Sequence, residues 1–225
     1  MTIESAGDNS TDDHIGTEDV SLWDTSNHGS DSAMFIGSAS FYCSLYRFTG
    51  LSSISSSATV NSAVPSLYVE GSFGSNNKDI VFRRCLLPWV EGEAHQTIYS
   101  TGNSWTSNNG LSDGNDRSAT VSATINVIDG NDPAYFSVDD AQYAADIEDF
   151  IDGTLTNDGH HTDWTGTNAM QLTGHEGSDG QRPFVTVDFT VGGGGGWTGT
   201  INGAVDPSNV DGIAVAGITN INGVT

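Results

Sequence analysis

The chain has 225 residues and carries 29 acidic side chains against 6 Lys+Arg, a formal charge of −23. Gripping phosphates needs clustered cations, so this balance argues against nucleic acid and against an anionic membrane surface as partners. With 36% hydrophobic and 9% aromatic residues, a chain of this length can bury roughly 70–75% of its unfolded surface, so folding requires neither disulfide nor metal.

Residues 1–19 are polar and poor in apolar side chains, and read as an arm or a loose first edge. They hold neither a basic leader nor an apolar h-region, so the expected route out of the cell is not secretion. From Val20 onward, short apolar stretches recur between turn clusters, most clearly at 33–36, 41–48, 58–60, 66–69, 80–87, 119–127 and 184–191. Several alternate at period two, as where Val121, Ala123, Ile125 and Val127 fall on one side. Thr, Val, Tyr and Phe fill these stretches and Gly, Asn, Asp and Ser separate them, which predicts an all-β fold, a sandwich or a barrel.

One segment departs from that pattern. In 140–152, Tyr143, Ile147, Phe150 and Ile151 recur at helical spacing and Gly153 follows, predicting a single short helix at one end of the sandwich. Residues 192–196 are five consecutive glycines, a flexible joint. Beyond them, 197–225 holds Asn202-Gly203, Asp211-Gly212 and Asn222-Gly223 beside β-branched residues, which signal hairpins or tight turns. About thirty residues make little core alone, so this tail is expected to dock or oligomerise.

Of the 29 acids, 22 are Asp, which favours turns, so the charge is expected in loops. The tetrapeptide DGND occurs at 113–116 and again at 129–132. Asp113, Asn115 and Asp116, and Asp129, Asn131 and Asp132, are hard-cation ligand types around a glycine turn, so a structural calcium is the candidate there, with plain Asx turns as the alternative. No cofactor is required. His160, His161 and Asp163 are metal-ligand types, but neighbours in a strand face opposite ways, and exposed turn residues are expected instead. His175-Glu176 reads as a solvated turn. Glu91 and Glu93 are close in sequence, yet nothing in their spacing makes them an acid–base pair. No nucleophile elbow, P-loop or zinc-helix motif occurs, so no enzyme is expected. Cys43 and Cys85 are expected as buried free thiols rather than a disulfide framework. Trp89, Trp105, Trp164 and Trp197, with Tyr99, could form a sugar-stacking platform, though core positions are the expectation.

Five segments in order resemble the DNRLRE-domain family. NHGSDSAMFIG (27–37) is similar to its Asn-x-Gly opening and following strand, and SLYRFTGLSSISSSATVNSAVPSLYVEG (44–71) to its Arg-Phe-Asp-Leu segment, with Thr49 where the family has Asp. VFRRCLLPWVEGEAHQTIYSTGNSWTSNNG (81–110) resembles the Trp-x-Glu-Gly block and second Trp, IEDFIDGTLTNDG (147–159) the short helix and turn, and EGSDGQRPFVTVDFT (176–190) the closing Arg-Pro strand. The resemblance spans 20–191 and implies for it a jelly-roll-like antiparallel β-sandwich, the fold of a family of extracellular and phage-associated proteins with no shared catalytic residues. The tail resembles the Asn-Gly-Val segments that end phage structural proteins.

The expectation is therefore a virion structural protein on the outer surface of a bacteriophage particle, either capsid decoration or tail/fibre. Its partners would be other virion proteins and copies of itself, with a host-surface glycan possible. The alternative is an extracellular carbohydrate-binding module of a secreted or surface adhesion protein.

Overall fold

A computed structural model describes residues 17–37, 41–72, 78–128, 130–164 and 168–191, with strand Thr2–Ser5 and the pairs at 200–201, 204–205, 209–210 and 213–214. In chain order the strands are β1 (Thr2–Ser5), β2 (Thr17–Leu22), β3 (Ala33–Gly37), β4 (Cys43–Phe48), β5 (Ala58–Ser72), β6 (Lys78–Arg84), β7 (Ile98–Ser100) and β8 (Asn103–Ser104). They continue as β9 (Ala123–Val127), β10 (Ala134–Ser137), β11 (His160–Asp163), β12 (Ala169–Thr173) and β13 (Phe184–Val191). The last four are two-residue strands, β14 (Thr200–Ile201), β15 (Ala204–Val205), β16 (Asn209–Val210) and β17 (Ile213–Ala214).

The strands pair antiparallel into one sheet of order β1-β13-β5-β12-β3, with β10 also on β5, and a second of order β2-β4-β11-β6-β9. From β1 to β6 each strand lies in the opposite sheet from the one before, the crossing habit of a jelly-roll-like sandwich. The stretches at 58–60 and 66–69 are one 15-residue strand, β5, pairing along its length with β13, β10 and β12. Of the two readings of residues 1–19, arm or loose first edge, the edge fits β1 at the rim of the first sheet, and the stretch is already sandwich from Thr17, where β2 begins, with Asp19 fully buried. One expectation is revised. His160 and His161 are not exposed turn residues but lie in β11, each 1% exposed, because every polar side chain there finds a partner.

Alternation sets two cores. Between the sheets pack Met34, Ile36, Tyr46, Leu67, Ile80, Phe82, Ile125, Leu172 and Val187. The odd-numbered positions of β4 face away from them, and Cys43 and Leu45, with Val20 and Leu22, are sealed by Cys85, Trp89, Ala94 and Trp105 from the 85–122 segment. The second sheet is thus buried on both faces, a third layer covering it. Both thiols are free and buried there, as expected. Helix α1 (Ala141–Asp152) forms where predicted, its first turn capped by Asp140 accepting from the Gln142 N–H at 2.9 Å and its end turned by Gly153 at φ +79°. Its Tyr143, Ile147, Phe150 and Ile151 close one end of the inter-sheet core. In the tail, β14 pairs antiparallel with β15 and β16 with β17. Asn202-Gly203 and Asp211-Gly212, the glycine joint at 192–196 and Asn222-Gly223 lie outside the described residues.

Candidate binding groove

A concave surface opens where β3 hands over to β4. Alternation along β3 turns Met34 and Ile36 into the core and Phe35 outward. Gly37 and Tyr42 then tie the crossing with reciprocal backbone bonds of 2.8 and 3.0 Å. Gly37 has φ +112°, and a Cβ there would lie 2.4 Å from the Asn168 carbonyl and 2.8 Å from the Trp164 ring. Only glycine lets β3 approach β12 this closely. Tyr42 is thereby set beside Phe35, ring centroids 6.1 Å apart, with Ala169 across from Gly37.

Trp23, just past the end of β2, supplies the remaining wall. Its indole lies 6.0 Å from Tyr42 and stacks on His28 at 4.6 Å and 23°. His28 is clamped, Nδ1 2.7 Å from Asp31 Oδ2 and Nε2 3.1 Å from Asp24 Oδ1. Carboxylate oxygens only accept, so the doubly protonated ring makes both contacts and the neutral ring one. The Ser26 backbone N–H, with His28 adding to it, holds the Asp24 carboxyl below the usual carboxylate range. Trp23, Phe35, Tyr42 and Ala169 together line an open groove of about 360 Å³. Phe41, 49% exposed, meets Tyr42 edge-on at 5.2 Å. Across the ladder from Phe35, Gln171 donates to Glu70, which also accepts from Thr173. The groove presents ring faces with polar atoms alongside, an arrangement suited to binding.

The calcium candidates are placed otherwise. Asp113 accepts from Arg117 Nε at 2.7 Å. Asp116 accepts the backbone N–H groups of Thr106, Ser107 and Ser112 at 2.7, 3.0 and 3.2 Å. Donors converging on Asp116 occupy the oxygens that a cation would need and place positive dipoles around them. Asn115 turns to the Ser112 hydroxyl at 2.9 Å. In the second copy Asp129 lies outside the described residues, the Asn131 N–H bonds to the Ile128 carbonyl, and Asp132 precedes a cis peptide to Pro133. Among the described residues no group of three or more His, Cys, Asp or Glu is placed to hold a metal ion.

The remaining candidates are tied into the fold. Glu91 accepts from the Asp19 N–H and Glu93 from the Thr101 N–H, each at a turn. Trp89 and Trp105 are buried, their indole N–H groups donating to the Asp158 and His95 carbonyls. Trp164 and Tyr99 are half-buried against the two cores, and Trp197 lies outside the described residues. The His175-Glu176 pair does sit in a turn.

Two buried polar clusters flank β11, one on each face. On the inner face His160 stacks on Tyr143 and lies 3.4 Å from Asp146, which also accepts from Ser122 at 2.5 Å. The parts of a nucleophilic triad are present, but the Ser122 hydroxyl donates to the carboxylate and not to the imidazole, so the hydroxyl–imidazole–carboxylate order of a triad is not formed. Burial pushes the His160 imidazole below its ordinary range despite Asp146. On the outer face His161 Nε2 donates to the Asn109 carbonyl at 2.8 Å, leaving Nδ1 to accept from Arg117, which also bonds Asp163 at 2.6 Å. Burial and the Arg117 charge push His161 down to about 4.

The aromatic quartet Trp23, Phe35, Phe41 and Tyr42 was not singled out from sequence. Its one local signal was Phe35, sitting out of phase between Met34 and Ile36. No protein-family model matches this chain, and no curated protein matches it.

Proposed function

We propose that this chain is a non-enzymatic structural protein of the outer surface of a bacteriophage particle, a capsid decoration or tail/fibre component joined to neighbouring virion proteins or copies of itself through residues 197–225. One observation carries this reading. The sandwich closes both of its cores from its own residues, whereas the described tail strands pair only with one another, β14 with β15 and β16 with β17. A two-residue ladder buries almost nothing and is not stable by itself. The tail therefore needs an external surface, and the acidic sandwich remains free to face solvent. The ordered segments that resemble the DNRLRE-domain family and the Asn-Gly-Val tail support the same reading.

The test is sedimentation with phage particles stripped of this protein. The full-length chain is expected to co-sediment. A chain ending at Gly192 should remain folded and soluble but stay in the supernatant. Equal incorporation of the truncated chain would move attachment to the sandwich, and failure of both would remove the virion reading.

A second reading, a carbohydrate-binding module of a secreted or surface adhesion protein, is favoured by the aromatic groove at the β3–β4 crossing.

A further inference from the structure

We infer that the groove between Trp23, Phe35, Tyr42 and Ala169 is a binding site for an uncharged sugar ring, stacked by its C–H face on Trp23 and Tyr42. The inference gives the second reading a site and does not depend on the first, since a virion surface protein could carry the same groove.

Four observations select this occupant. The rings touch one another, Trp23 to Tyr42 at 6.0 Å and 56° and Phe35 to Tyr42 at 6.1 Å and 49°. Rings in mutual contact make a continuous tilted floor, not a cage with a gap for an ammonium group. The volume of about 360 Å³ lies at the small end of ligand clefts, room for one or two pyranose rings. Asp24 and Asp31, which hold His28 against Trp23, and Glu70, which accepts from Gln171 across the ladder from Phe35, make this side of a chain of charge −23 negative, which disfavours a uronic acid, a sialic acid or a phosphate. Finally, the floor is set before any ligand arrives: His28 backs the indole and is itself held by two carboxylates, so little side-chain entropy is lost on binding.

The test uses the full-length chain on an array of neutral hexose, deoxyhexose and N-acetylhexosamine oligosaccharides printed beside uronic-acid and sialylated ones. Retention on at least one neutral glycan is expected, with none on the anionic set. Trp23→Ala should weaken that binding by roughly tenfold or more. Because that change could loosen the 23–31 loop, Ala169→Trp is the second variant. It fills the groove from β12, leaves the aromatic residues in place, and should abolish binding with thermal stability kept. Retention by no neutral glycan, preference for anionic ones, or binding unchanged in Ala169→Trp would each overturn the inference. A shift of Ala169→Trp from oligomer to monomer, with no glycan bound by the parent, would make the groove an interface instead. The groove can fail in all these ways while the particle-binding result stands, so the two readings fall separately.

Discussion

Asp19 sits in β2 with its carboxyl sealed from solvent, one oxygen accepting from the His175 N–H at 2.6 Å and the other, Oδ1, facing no donor among the described residues. Burial, then the Glu176 charge and to a smaller degree Glu91, push this carboxyl well above the ordinary Asp value. The folded state thus holds a proton that the unfolded chain releases near pH ~3.9. Stability from this group is full below that value and is lost as pH rises through the folded value. His160 and His161 act in the opposite direction. Their imidazoles are held down by burial, so the unfolded chain takes up protons near pH ~6.5 while folded His161 resists to about 4, and stability falls as pH drops through that window. Melting temperatures across pH 4–9 should pass through a maximum on the acid side of neutrality. Asp19→Asn should remove the loss of stability that this group contributes as pH rises above ~3.9, so the variant's melting temperature should climb more steeply along the acid limb and decline less beyond the maximum. An alkaline slope identical in the variant would show that Asp19 does not carry it.

The cover over the second sheet makes a separate claim about the segment 85–122. Cys43 lies beneath it and Cys85 on its own inner side, beside Trp89 and Trp105, and burial drives both thiols far above their ordinary range. Buried thiols held protonated are inert to alkylation, so labelling reports opening of the cover. Trp105 anchors the cover by its ring against Tyr99 and its N–H on the His95 carbonyl. Trp105→Ala should cost about 3–5 kcal/mol locally and accelerate iodoacetamide labelling of both cysteines by at least tenfold. The inter-sheet core, built from other residues, should keep its far-UV signature. Labelling that stays at the parent rate would mean that the cover is not an independently opening layer.

How far these elements could be read from sequence follows from where their information lies. Helix α1 was legible because its cap, its apolar spacing and its terminal glycine are all local. The alternation that sends Ala123, Ile125 and Val127 inward was local too, although Val121 lies outside β9 and is 37% exposed. Strand β11 was not legible, since His160, His161, Thr162 and Asp163 carry no apolar signal and are buried by partners at 109, 117 and 146 and on β4. The groove was hidden for a similar reason: residues 23, 35, 42 and 169 meet only after two sheets have formed. Trp89 and Trp105 were expected in a core, but no local pattern shows that they seal the outer face of a sheet.

The charge of −23 acts on the fold through all these parts at once. Few cations offset it: Arg47 pairs with Glu18, Arg117 with Asp113 and Asp163, and Arg182 with Asp179, while Lys78, the single lysine, lies buried over Trp164. The remaining carboxylates repel one another, and the compact state holds them closer than the unfolded chain does. Raising NaCl from about 0.01 M to 1 M shortens the screening length from about 30 Å to 3 Å, so melting temperature should climb with salt, by roughly 2–4 °C for each kcal/mol of repulsion relieved. A flat or falling profile would mean that paired contacts outweigh the repulsion. The same experiment addresses the acidic loops. With Asp113 and Asp116 already engaged by Arg117 and by backbone donors, calcium and magnesium chlorides at matched ionic strength should raise the melting temperature equally. A calcium-specific excess abolished by Asp116→Asn would instead require the 106–117 turn to open its oxygens to the ion, against the donors that now face them.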